Sequence, residues 1–304
     1  MKHLFSPAAI CLLMWTPPAA AQPDPAAVAP EQVATGFRFT EGPAVAPDGG
    51  VYFTDQRASL ILRYDPLTGE TETVRENSGE ANGLMFNDAG NLYACEGGAR
   101  RVSVSIDGVI ETVADQFDGR RFNSPNDLTI DNAGGIYFTD PRYGRRDDME
   151  MDVEAVYYIA RGGAVTRIID DLVRPNGVIL SLDGTTLYVA DNGTATVFAY
   201  DVVGPGQLAN KRRFAVMDAG RRASPDGMTV DATGKVYAAG GGGVWVWDAS
   251  GARVGFIPLA ESPTNCTFTP DFRTLYITAG GSLYRMQMVE MLPGGDEPNP
   301  PPEP

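Results

Sequence analysis

Histidine is almost missing from this chain of 304 residues. Its one histidine, His3, sits in an N-terminal stretch that reads as a removable leader. A mature chain without histidine has no Ser-His-Asp triad, no Cys-His dyad, no HExxH zinc motif and no imidazole base. Its chemistry falls to carboxylates, amides, hydroxyls, Lys, Arg or a metal. Cysteine is scarce too, with three in all. Cys11 leaves with the leader. Cys95 and Cys266 lie far apart in the chain's repeat register and are expected as two free, buried thiols. Positive charge is in the minority, 24 Lys+Arg against 39 Asp+Glu, for a net charge of −15. An anion of that size repels nucleic acid and acidic membrane surfaces, and it favours solubility. After the leader no apolar run approaches the length of a membrane span. No long segment has helical periodicity with caps.

The leader itself has three parts. Lys2 and His3 form a short charged start, "AAICLLMW" an apolar stretch too short to span a bilayer, and "AAAQ" at 19–22 a small-x-small cleavage site. Residues 1–21 are therefore read as a signal peptide and the protein as exported, to the periplasm or the medium. Residues 30–292 are read as the folded domain. The tail 293–304, "PGGDEPNPPPEP", is rich in proline and acid, the composition of a disordered segment.

Six segments share one pattern of apolar alternation, an Asp/Asn-Gly turn and a strand with tyrosine. They are "GPAVAPDGGVYFTD" at 42, "GLMFNDAGNLYACE" at 83, "DLTIDNAGGIYFTD" at 127, "GVILSLDGTTLYVAD" at 177, "GMTVDATGKVYAAG" at 227 and "CTFTPDFRTLYITAG" at 266. Their tyrosines, Tyr52, Tyr93, Tyr137, Tyr188, Tyr237 and Tyr276, are spaced by 41, 44, 51, 49 and 39 residues. A period near 45 is that of one four-stranded propeller blade. The turn residues suit hairpins because they tolerate positive φ. The expected fold is all-β, a six-bladed β-propeller, with residues 33–39 supplying a strand that closes the last blade.

Just before the first strand of each unit stands Glu41, Asn82, Asn126, Asn176, Asp226 or Asn265. Equivalent positions of a propeller lie at one height around the axis, so six oxygen-bearing side chains are expected at one mouth. Turn chemistry explains Asn or Asp before Gly at any single site, but not Glu41 and not all six. Two carboxylates among amides suit a hard divalent cation. Ca²⁺ is favoured, with Mn²⁺, Mg²⁺, Zn²⁺ or Fe²⁺ left open. Arg121, Asn123, Arg142 and Tyr143 lie on segments leading to the same mouth and are candidates to hold a polyol or a carboxylate. "GGGG" at 240–243 lacks the helix of a phosphate loop, Ser124 and Ser224 lack a base, and Trp245 and Trp247 read as blade packing.

"TEGP" at 40–43, "SPND" at 124–127, "RPNG" at 174–177, "ADN" at 190–192 and "SPDG" at 224–227 occur in this order along the repeats. With them the chain resembles the senescence-marker-protein/gluconolactonase/luciferin-regenerating-enzyme family of six-bladed propellers. The resemblance implies one divalent metal held by Glu41, Asn176 and Asp226. Asn126 would complete the shell or touch substrate, and Asn82, Asn265, Asp191 and Asn192 would support from behind. It implies hydrolysis of a small-molecule substrate, a sugar lactone first, with Asp226 or Asp140 taking the proton from water. Aryl esters or non-sugar lactones are the alternative substrates, and a non-catalytic binding propeller is the alternative class. Which lactone, which ion and what oligomeric state stay open. The animal relatives are cytosolic, so the leader is a departure that loosens any transfer of their particular substrate.

Overall fold

The computed structural model describes residues 29–218, 220 and 224–288. The leader 1–21, the tail 293–304 and the last four residues of the expected domain lie outside the described residues. The chain folds as a six-bladed β-propeller. Each blade is an antiparallel sheet of four strands, with its innermost strand on the axis. The innermost strands of blades one, two, four and six are Thr40–Val45, Ala81–Phe86, Pro175–Leu180 and Pro263–Phe268. Those of blades three and five, Leu128–Ile130 and Met228–Val230, are shorter and begin after the ring residue.

Packing between blades explains the tyrosine repeat. The buried apolar side chains fall into six clusters, each shared by two adjacent blades. The repeated tyrosines lie at these seams. Tyr52 meets Phe86 of the next blade edge-on at 5.0 Å, and Tyr237 meets Phe268 in the same way at 5.0 Å. Such pairs add about 0.5–1.5 kcal/mol beyond the area they bury. Trp245 and Trp247 sit in the seam between blades four and five, as packing residues. Cys95 and Cys266 are buried in different seams and unpaired.

The ring closes through the N-terminal strand. The closing strand is Glu31–Thr35, a little before the expected 33–39, and it pairs with Ser282–Gln287 of blade six. Glu261 fastens the join. Its carboxylate accepts from Gly281 N–H at 2.9 Å, Ser282 Oγ at 2.6 Å and Tyr284 OH at 2.9 Å, and from Gln32 of the closing strand at 3.1 Å. Among the described residues no helix is long and apolar enough to cross a membrane.

Candidate functional site

At the axis four of the six ring positions sit on bulges. The pairing of innermost and second strands slips between Glu41 and Ala44, between Ala81 and Leu84, between Pro175 and Val178, and between Pro263 and Asn265. A bulge re-aims a side chain; Glu41, Asn82 and Asn176 face the cavity from theirs. Threonines of the second strands then fix the ring backbone. Thr54 Oγ1 donates to the Asn82 carbonyl at 3.1 Å and Thr139 Oγ1 to that of Asn176 at 2.6 Å.

The glycine after the ring residue has a different purpose from the turn chemistry that the sequence suggests. A Cβ on Gly177 would lie 2.3 Å from the Asp226 carbonyl, and one on Gly227 would lie 1.9 Å from the Asn265 side chain. Neighbouring innermost strands approach so closely around the axis that only glycine fits. Blade six has Cys266 at this register, and blade three breaks the rule with an acid. Asp127 occupies the glycine register, and its Oδ1 stands where a Cβ on Gly83 would be 2.5 Å away. Asp127 therefore fills the centre of the channel. The sequence signal was available, an acid where four of the other repeats have glycine, but it went unread.

Five ring residues, Glu41, Asn82, Asn126, Asn176 and Asp226, border one open cavity of about 670 Å³ at the channel mouth, within the usual range for small-molecule sites. Asn265 does not border it. Its Oδ1 accepts from Cys266 N–H at 2.7 Å, its side chain bonds Asp127, and it faces the opposite end of the channel. The expected ring of six is a ring of five. Asn82 bonds the carboxylate of Glu41 and Asn176 that of Asp226.

Two carboxylates, Glu41 and Asp226, stand at the floor of this cavity, and a third, Asp127, lies near them on the side of the channel's opposite end. Burial, and then the charges of Asp226 and Asp127, push Glu41 well above the ordinary carboxylate range. Burial and then Asp127 raise Asp226 as well. Burial pushes Asp127 up to about 7 despite N–H bonds from Leu128 and Val178. Among the described residues no lysine or arginine enters any of these balances. Buried acids that repel one another without a cation beside them are costly, by several kcal/mol per ion. Glu41 and Asp226, together with the oxygens of Asn126 and Asn176, make a donor set for a hard divalent cation. The residues present therefore fit the metal that the sequence reading implied.

The remaining candidates divide. Tyr143 borders the cavity, and its hydroxyl accepts from Asn176 Nδ2 at 2.8 Å. The Arg174 guanidinium covers its ring, 5.1 Å from the centroid. Arg142 borders the cavity, but its guanidinium donates to the carbonyls of Asn123 and Arg145 and to Asp148. It braces the loop 141–154 at the mouth. Asn123 is a correction: it is wholly buried, with Nδ2 on the carbonyls of Asp140 and Val153, and does not reach the cavity. Arg121 is another. It lies outside the cavity on the short hairpin Gln116–Phe117/Arg120–Arg121 and pairs with Glu150 at 2.5 Å.

Asp140 as a base is the third correction. Its carboxylate accepts from Asn123 N–H and Ser124 N–H, each at 2.7 Å, and it does not border the cavity. Burial lifts its pKa to about 7, but its oxygens are engaged by backbone N–H groups away from the cavity. Asp191, of the "ADN" element, has the same task, accepting from Val173 N–H and Arg174 N–H, while Asn192 borders the cavity and bonds Ser224.

The profile described as SMP-30/Gluconolactonase/LRE-like region matches residues 39–281. The chain is 30% identical over 288 residues to a gluconolactonase of Zymomonas mobilis, covering 84% of this chain and 80% of that protein. It is 31% identical over 261 residues to the pentonolactonase XacC of Haloferax volcanii, covering 82% and 84%. A solved gluconolactonase structure from Xanthomonas campestris superimposes with a TM-score of 0.79 at 31% identity, covering 84% of this chain and 88% of that one.

Proposed function

This chain belongs to the SMP-30/gluconolactonase/LRE-like family, and from that premise we propose that it is a lactonase that opens a sugar lactone to its hydroxy acid by adding water at the ring carbonyl. One observation carries the reading most: the buried carboxylates of Glu41 and Asp226, without a cationic partner among the described residues, at the floor of an open cavity, in a chain whose relatives include gluconolactonases.

Glu41, Asn176 and Asp226 would hold one divalent cation, Ca²⁺ first, with Asn126 beside it. When bound, that ion supplies Lewis-acid stabilisation of negative charge on the carbonyl oxygen. Asp226 accepts the proton of the attacking water. Its position supports this, at the cavity wall with burial raising its proton affinity. Asn126 and the Tyr143 hydroxyl orient the lactone by hydrogen bonds. Asp127 does not touch substrate; its charge beneath the ring favours a cation above it. The leader motif supports a further reading, that the protein acts outside the cytoplasm. Mass spectrometry of the secreted chain should then find Gln22 as the first residue, and an intact N-terminus would refute it.

The test of activity is acid release from five- and six-membered aldonolactones by the purified chain, with each of the five candidate ions. A rate well above spontaneous opening is expected. No rate above background with any ion would overturn the reading.

A further inference from the structure

Four guanidiniums, Arg57, Arg100, Arg142 and Arg145, border the same cavity. Apart from the ring carboxylates, the acids bordering it are Glu80 and Asp148. Once the ring holds a divalent cation, the wall carries an excess of positive charge, in a chain whose net charge is −15.

Two of these arginines have unused capacity. Arg57 is exposed, lies 4.8 Å from the centroid of Phe39 and makes no ion pair among the described residues. Arg100 is only 5% exposed. It donates Nε to the Phe122 carbonyl and Nη1 to the Asp148 carbonyl, and its Nη2 is buried without an acceptor. It also shares the single carboxylate of Asp148 with Arg142. Burial and the nearby charges of Arg121 and Arg142 pull its pKa down. A guanidinium kept here under like-charge repulsion, with a donor unused, is costly without an anion to answer it. Arginine forks suit the planar oxygens of carboxylate and phosphate.

We propose that the preferred substrate is a sugar lactone that also bears an acid group, a carboxylate or a phosphate, held at the mouth by Arg57 and Arg100 while the lactone carbonyl lies over the ring. This rests on the lactonase reading above.

The test compares kcat/KM for a neutral aldonolactone, an aldaric-acid lactone of the same ring size and a phosphorylated aldonolactone, using the cation-loaded full chain at low salt. One acid-bearing lactone should exceed the neutral one by ~10-fold or more, and that ratio should shrink as salt rises to about 0.5 M. Whichever acid is preferred names the source of the charge. Arg57→Gln, a change at an exposed side chain, should cut the ratio about three- to tenfold. Equal or better turnover of the neutral lactone, with a ratio that Arg57→Gln does not move, overturns the proposal while leaving the lactonase reading intact. If no lactone is opened, the lactonase reading fails, and the affinity ratio of the same compounds by calorimetry decides the inference in the same two directions.

Discussion

Two sets of buried acids recur around this propeller, and they do opposite things. One set stands at the ends of second strands: Asp55, Asp140 and Asp191. Each carboxylate there is used up on backbone N–H groups of the loop leading into its own blade. The other set stands on the axis: Glu41, Asp226 and Asp127. Their charges act on one another, and among the described residues none has a cationic side chain as partner; Glu41 and Asp226 face the cavity, while Asp127 accepts from Leu128, Val178 and Asn265. Both sets are buried, and Asp127 and Asp140 both have pKa values raised to about 7. What separates structure from chemistry here is whether the oxygens are already spent.

The comparison predicts opposite signs. Asp226→Asn should lower kcat/KM by about 10²–10⁴, the largest effect expected. In metal-free protein the same change should leave the melting temperature level or raise it by about 2–4 °C per kcal/mol of relieved repulsion. A metal-free variant that melts well below metal-free wild type would break the contrast. Asp140→Asn should do the reverse. Losing one of two N–H bonds to the loop costs about 1–3 kcal/mol, seen as a lower melting temperature, while kcat stays within about threefold because no contact with substrate is lost. A collapse of kcat in folded Asp140→Asn protein would return Asp140 to the chemistry.

Smaller changes sharpen the picture. Tyr143→Phe removes the acceptor of Asn176 Nδ2 and should raise KM about two- to fivefold, in line with a lost hydrogen bond of ~0.5–1.5 kcal/mol. Thr139→Val removes the bond that seats the Asn176 carbonyl. It should cost about 1 kcal/mol of stability by denaturant titration, with a slight weakening of cation affinity.

The fold was legible because a propeller repeats. Six tyrosines in register report six seams, and Asp/Asn-Gly turns report the hairpins between strands. The ring was legible for the same reason, and five of its six members face one cavity. Asn265 was not, because its amide turns to its own neighbour's N–H and to Asp127. Asp127 is not legible as an axial acid from its pattern, because the reason for glycine at its register is the close approach of neighbouring strands, which only the structure shows. Asn123 and Arg121 look functional because their segments lead to the ring, and Asp140 because the resemblance implies a base at its strand end. Direction of a side chain is decided by the loop it anchors, and no local pattern reports that. Arg100 was unreadable for a like reason: its place at the wall depends on Phe122 and Asp148, 22 and 48 residues away.

The most direct test of the axial site is to strip the protein with chelator and follow lactone hydrolysis and melting temperature together while Ca²⁺ is added back. The account predicts that turnover vanishes on stripping and returns at one equivalent of ion. Melting temperature should rise in step, by about 2.7 kcal/mol of stabilisation at a hundredfold excess over Kd. Full turnover by protein shown by elemental analysis to hold no metal would contradict it.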